Sequence, residues 1–200
     1  LQDDIMQDWN NTPSQQHVQS FYMDQTEVTN IMYLEYLNYL KTVYPPENPN
    51  YANIYSGALP DTLVWRNQFG FNETLTTNYL RHPAYADYPV VGVSWLQATQ
   101  YAEWRTDRVN ELRLEKEGYL AKGTRYQALN GDVSSTFSTE TYLSNPEATY
   151  GGAISSFQGK KTRDSTGVFA KRGSGILMPE YRLPTEIEWE YAAQALISNR

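Results

Sequence analysis

Apolar residues recur along this chain in helical and in alternating rhythms, separated by long stretches with neither. After Asn30, Tyr33, Leu34, Tyr36, Leu37 and Leu40 fall at helical spacings, which predicts one face turned towards a core. Thr29 stands ahead of that run as an N-cap, and Pro45-Pro46 closes it after about Thr42, because proline lacks an N–H and clashes with a preceding helical turn. A second helix is predicted from Ser94, which has the capping-box spacing to Gln97. Trp95, Ala98, Ala102 and Val109 form its expected buried stripe, and Gly118 is a suitable C-terminal cap. Thr185 and Glu188 repeat the capping-box spacing, while Pro184 bars helix upstream and holds Leu183 extended. Trp189, Ala192, Ala193 and Leu196 then line one face of a third helix, a large anchor beside small residues against which another element can pack.

Between these helices the pattern changes. Residues 17–24 alternate loosely and predict a strand with Val18, Phe21 and Met23 facing inward; Tyr88 to Trp95 reads as a short buried strand leading into the second helix. Residues 1–16 form a polar arm, and 17–200 read as one domain with long insertions at about 44–82 and 118–180. The second insertion, with Phe137, Tyr142, Tyr150, Phe157 and Phe169 scattered among Gly, Ser and Thr, is expected to carry one or two short hairpins. Because the last apolar run continues at Leu196-Ile197 without a cap, the domain is expected to continue beyond Arg200.

Charge and composition narrow the function classes. A net charge of −7 and a pI near 4.9 argue against nucleic acid or an anionic membrane as partner. No apolar run is long enough to span a bilayer, and Leu1 does not open a signal peptide. With no cysteine, the segment offers no disulfide, thiolate metal site or cysteine nucleophile. His17 and His82 lack a partner cluster and read as structural, and Asp24 and Glu27 read as helix-start acids rather than an acid–base pair. No phosphate loop, nucleophile elbow, H-E-x-x-H or calcium-loop spacing is present. Lys160, Lys161, Arg163, Lys171 and Arg172 stand out in an acidic chain, as a solvated loop or, less simply, an anionic-partner site. The 17 Tyr and 5 Trp suit a contact-forming surface.

Several stretches carry a family likeness. Arg182 to Ala193 reads R-L-P-T-E-I-E-W-E-Y-A-A, and Pro89 to Trp104 fits P-V-x-x-V-S-W-x-x-A-x-x-Y-x-x-W. Together with Phe21 to Asn30 they resemble formylglycine-generating-enzyme and sulfatase-modifying-factor domains. The residues that carry this likeness are Thr29, Ser94, Trp95, Gln97, Trp104, Arg182, Pro184, Thr185, Glu188 and Trp189, all as structural motif residues. The resemblance implies an irregular α+β, C-type-lectin-like domain with long insertions, incomplete at its C-terminus. The family's catalytic cysteine pair would lie downstream of Arg200, as would its calcium sites, so no catalytic, cofactor or metal residue is assigned here.

Leu59–Arg66, Tyr79–Tyr85, Tyr88–Trp95 and Trp104–Glu111 further resemble the gliding-motility lipoproteins of bacterial type IX secretion. That likeness implies a non-catalytic outer-membrane lipoprotein facing the periplasm. It would be anchored by a lipid upstream of Leu1, contact a paralogue and other envelope components, and bind no nucleic acid. The alternative is a formylglycine-generating-type oxidase with its copper-binding cysteines beyond Arg200. Iron-dependent relatives would need a His-rich domain that two His cannot supply.

Overall fold

The structure, a computed structural model, describes residues 16–66, 70–127, 136–164 and 168–194. The N-terminal arm to residue 15, and Leu196 and Ile197 of the last predicted helical face, lie outside them. The chain divides into two compact units, one of residues 26–182 and one combining the N-terminal segment to Gln25 with Leu183 onward.

In the larger unit Thr29 Oγ1 accepts from Met32 N at 3.4 Å and starts helix α1, Asn30–Val43. Helix α2, Ala52–Ala58, a 3₁₀ turn at Thr62–Trp65 and helix α3, Glu73–Asn78, fill the first insertion. Helix α4, Trp95–Lys116, is the longest element. Its capping box is reciprocal: Ser94 N donates to Gln97 Oε1 at 2.7 Å and Gln97 N to Ser94 Oγ at 3.2 Å. Gln97 does a second job, because its Nε2 donates to the carbonyls of Gly57 (2.9 Å) and Leu59 (3.0 Å) and so holds the end of α2. At the other end Gly118 takes φ 81°, the left-handed cap expected of it. Helices α5, Thr124–Gln127, α6, Thr139–Ser144, and α7, Lys160–Asp164, follow with 3₁₀ turns between them.

The α+β, C-type-lectin-like expectation is overturned: among the described residues β structure is confined to isolated bridges, including Thr29 with Pro89 and Leu120 with Gln158, with no sheet. The reason is visible at the first bridge. Val90 N donates to Val28 O and Asn30 N to Tyr88 O, each at 2.9 Å, but the next rung would need Tyr88 N, which turns back to donate to Tyr85 O at 3.1 Å, and Asn30 already begins α1. Nor do the described residues of the second insertion form hairpins. Ser138 caps α6, and Asn145-Pro146 starts a 3₁₀ turn where strands would have to run.

The larger unit has two buried clusters, and α4 contributes to both. Its N-terminal half joins α1 in an aromatic cluster in which Tyr33 stacks on Tyr101 (5.6 Å), Tyr36 meets Tyr101 edge-on (5.7 Å) and Trp104 lies 5.2 Å from Tyr36. Such ring pairs add roughly 0.5–1.5 kcal/mol each beyond area burial. Leu114 from its C-terminal half enters a second cluster with Leu120, Phe137, Tyr142, Tyr150, Ile154, Ala170 and Leu177, drawn almost wholly from the second insertion.

In the smaller unit residues 16–24 form no strand and make no bridge, so the strand expected at 17–24 is absent, and Tyr22 is fully exposed. Helix α8, Glu186–Gln194, has its own reciprocal cap: Thr185 N donates to Glu188 Oε2 at 2.8 Å and Glu188 N to Thr185 Oγ1 at 3.3 Å. Phe21 meets Tyr191 edge-on at 6.4 Å.

Candidate functional site: the polar face of α4

The expected apolar stripe of α4 is only partly the buried one. Trp95 is 73% exposed, whereas the buried positions include Tyr101, Ala102, Thr106, Asn110, Glu111, Leu114 and Glu115. These follow helical spacing, but more than half are polar. A buried polar group costs about 1–3 kcal/mol if left without a partner, so the partners decide what this face is for.

They come mostly from backbone groups of the second insertion. Asn110 Oδ1 accepts from Met178 N at 2.7 Å, and its Nδ2 donates to Met178 O (3.3 Å) and Thr139 Oγ1 (3.4 Å). Thr106 Oγ1 accepts from Tyr181 N at 2.8 Å, and Asp107 Oδ1 from Thr139 N at 2.8 Å. Glu115 Oε1 accepts from Arg125 N at 3.0 Å, and Arg113 Nε donates to Ile176 O. One helix face thus satisfies backbone groups that have no sheet to bond to.

Glu111 lies at its centre with its side chain 0% exposed. Tyr150 OH donates to Oε1 at 2.7 Å and Arg108 Nη1 to Oε2 at 2.8 Å; Arg108 Nη2 also donates to Phe137 O at 2.8 Å, and its guanidinium stands 4.9 Å from the Tyr39 ring centre. Burial pushes the Glu111 carboxyl above the usual carboxylate range, with Arg108 and the Tyr150 hydroxyl pulling the other way. Burial also pushes Tyr150 well up, and the neighbouring Glu111 charge adds to it. Tyr150 adopts φ 57°, the left-handed region that a tyrosine enters only when its surroundings hold it there. Its ring lies 4.8 Å from Phe157 and 5.9 Å from Phe137.

A raised carboxyl is a common mark of catalytic acids. Here, however, both oxygens already accept hydrogen bonds, and the side chain is sealed from solvent. A groove of about 790 Å³, lined from Glu140 to Pro146 on α6 and beyond and by residues 168–172, does not include Glu111 in its walls. A general acid must come within hydrogen-bond reach of its substrate; in this geometry the carboxylate organises Arg108 and Tyr150 instead.

The motif residues are structural in placement. Thr29, Ser94 with Gln97, and Thr185 with Glu188 cap helices; Trp104 packs on the aromatic cluster; Arg182 and Pro184 are exposed, and Trp189 is 62% exposed on α8, which buries no residue. The copper of the formylglycine chemistry needs a cysteine pair, which these 200 residues do not contain, and the described residues hold no cluster of His, Cys, Asp or Glu able to grip a metal ion. The residues present therefore do not fit a copper site of that kind. The polar α4 face was missed because its members look like an exposed helix surface. The available signal was the long continuation of α4 with Asn110, Glu111 and Glu115 in register with Leu114.

The buried polar side chains of α4 thus hold backbone of the second insertion in place. The chain belongs to the family of the sulfatase-modifying factor enzyme 1-like domain, whose model matches residues 2–199. No curated protein and no solved structure matches it.

Proposed function

We propose that the chain is part of a gliding-motility lipoprotein of the GldJ type, with a GldK-like protein as its paralogue. In this reading it is a non-catalytic assembly module, held at the bacterial outer membrane by a lipid upstream of Leu1 and supporting type IX secretion through protein contacts. The motifs Leu59–Arg66, Tyr79–Tyr85 and Trp104–Glu111 support that kinship. The observation that carries the non-catalytic reading is Glu111: the most deeply buried carboxylate is taken up at both oxygens by Tyr150 and Arg108. Exposed aromatic and aliphatic residues on several elements, Leu63, Val64, Tyr88, Trp95 and Leu96 among them, supply contact area.

The test is peptide mapping of the native protein from outer-membrane fractions, with thiol labelling and an intact mass for the N-terminal peptide. The expected result is a lipidated N-terminus and no copper-binding cysteine pair. A closely spaced pair that binds copper and oxidises a peptide cysteine would overturn the reading.

A further inference from the structure

We infer that the groove between α6 and residues 168–172 docks an acidic, apolar-anchored segment of a partner protein. The inference rests on the assembly-module reading and deepens it by naming the surface. The groove, about 790 Å³, has apolar walls that include Tyr142, Leu143, Pro146, Val168 and Phe169. Its second wall is pinned, because Ala170 N donates to the buried Tyr142 hydroxyl at 3.1 Å and Ala170 is itself buried. Val168, by contrast, is 52% exposed on the lip, an apolar side chain with nothing over it among the described residues.

Charge selects the occupant. The chain has 23 Asp and Glu against 16 Lys and Arg, yet both cations lining the groove, Lys171 and Arg172, are exposed and form no ion pair among the described residues. The neighbouring basic helix is different: Lys161 on α7 pairs with Glu117 at 3.4 Å and lies 5.1 Å from the Tyr119 ring centre. Glu140 lines the α6 side, so the groove is electrically polar. A broad anionic surface such as a membrane or nucleic acid would meet Glu140 and a chain of net −7. A short segment does not: its aliphatic or aromatic anchor fills the walls while its carboxylates face Lys171 and Arg172.

The test uses the full chain and two fluorescein-labelled peptides with the same Leu-Phe anchor, one flanked by Asp and Glu, the other by Asn and Gln. Anisotropy is expected to report binding of the acidic peptide, weakening with salt, and much weaker binding of the amide peptide. Lys171→Glu with Arg172→Glu should weaken the acidic peptide about tenfold, the scale of losing and reversing two rim pairs. Val168→Asp should weaken both peptides, and Lys160→Glu, outside the groove, should change neither. Circular dichroism confirms that each variant is folded. No binding of the acidic peptide, equal binding of both, or indifference to the double reversal would overturn the proposal. So would binding of dodecanoate without binding of the acidic peptide, which would make the occupant a small amphipathic acid. These failures leave the assembly-module reading standing, since that falls on a copper-binding cysteine pair instead.

Discussion

The two halves of α4 hold their neighbours by different physics. Around Tyr101 and Trp104 the helix meets α1 through stacked and edge-on rings, and the principal hydroxyl there, that of Tyr33, donates to Ala58 O at 2.8 Å. From Thr106 to Glu115 the same helix meets the second insertion through amide, hydroxyl and carboxylate side chains that bond mainly to backbone. The apolar burial of rings is non-directional and their pairing admits several arrangements, whereas a buried polar bond needs a narrow range of distance and angle and is costly when broken. The lesson is that an insertion of short helices and turns, with no sheet among its described residues, is held by a long helix whose side chains take over the hydrogen-bonding work of a sheet.

The strongest way to break this contrast is at its charged centre. Glu111→Ala leaves Arg108 partly buried without its carboxylate and the Tyr150 hydroxyl without its acceptor, and should cost about 3–5 kcal/mol in urea unfolding. Tyr101→Ala on the aromatic side should cost a similar or slightly smaller amount, about 3–4 kcal/mol, through lost packing. The two differ in pH response. Because the Glu111 carboxyl is raised in the fold, its contribution is full below its unfolded value and is lost as pH rises through the folded one; Glu111→Gln should flatten that acid-side slope. On the aromatic side burial pushes Tyr36 and Tyr39 up to about 12 from the ordinary 10.0, so stability should hold to about pH 10 and fall between 10 and 12.

A smaller effect separates one bond from a network. Tyr33→Phe strands only the Ala58 carbonyl and should cost about 1–2 kcal/mol by thermal unfolding. Smallest of all, Trp95→Ala should change stability by no more than about 0.5 kcal/mol, since the ring is exposed despite its place in the expected stripe.

How much of this was legible follows from where the information sits. Caps are local, so Thr29, Ser94 with Gln97, and Thr185 with Glu188 could be read from spacing alone, as could the apolar face of α1. Strand pairing is not local: residues 88–95 look like a strand, but whether a ladder grows depends on where Tyr88 N and Asn30 turn next, and Tyr88 N donates back to Tyr85 O while Asn30 enters α1. Burial of Asn110 and Glu111 depends on Met178, Thr139 and Tyr150 arriving from distant parts of the sequence, and their register with Leu114, the one local signal, does not by itself distinguish them from a solvated face. Position within a rhythm also misled at Trp95, whose place at the first turn of α4 leaves it beyond the body of the packed cluster. The site was therefore illegible for the same reason the sheet was: both turn on long-range partners.

The most direct measurement is hydrogen exchange by mass spectrometry on the wild type and Asn110→Ala, which removes the bonds to both backbone groups of Met178. Peptides spanning residues 137–178 should lose protection while those covering Asn30–Val43 of α1 keep theirs. Equal loss in both regions, or no loss in the insertion, would contradict the claim that the polar face of α4 holds it in place.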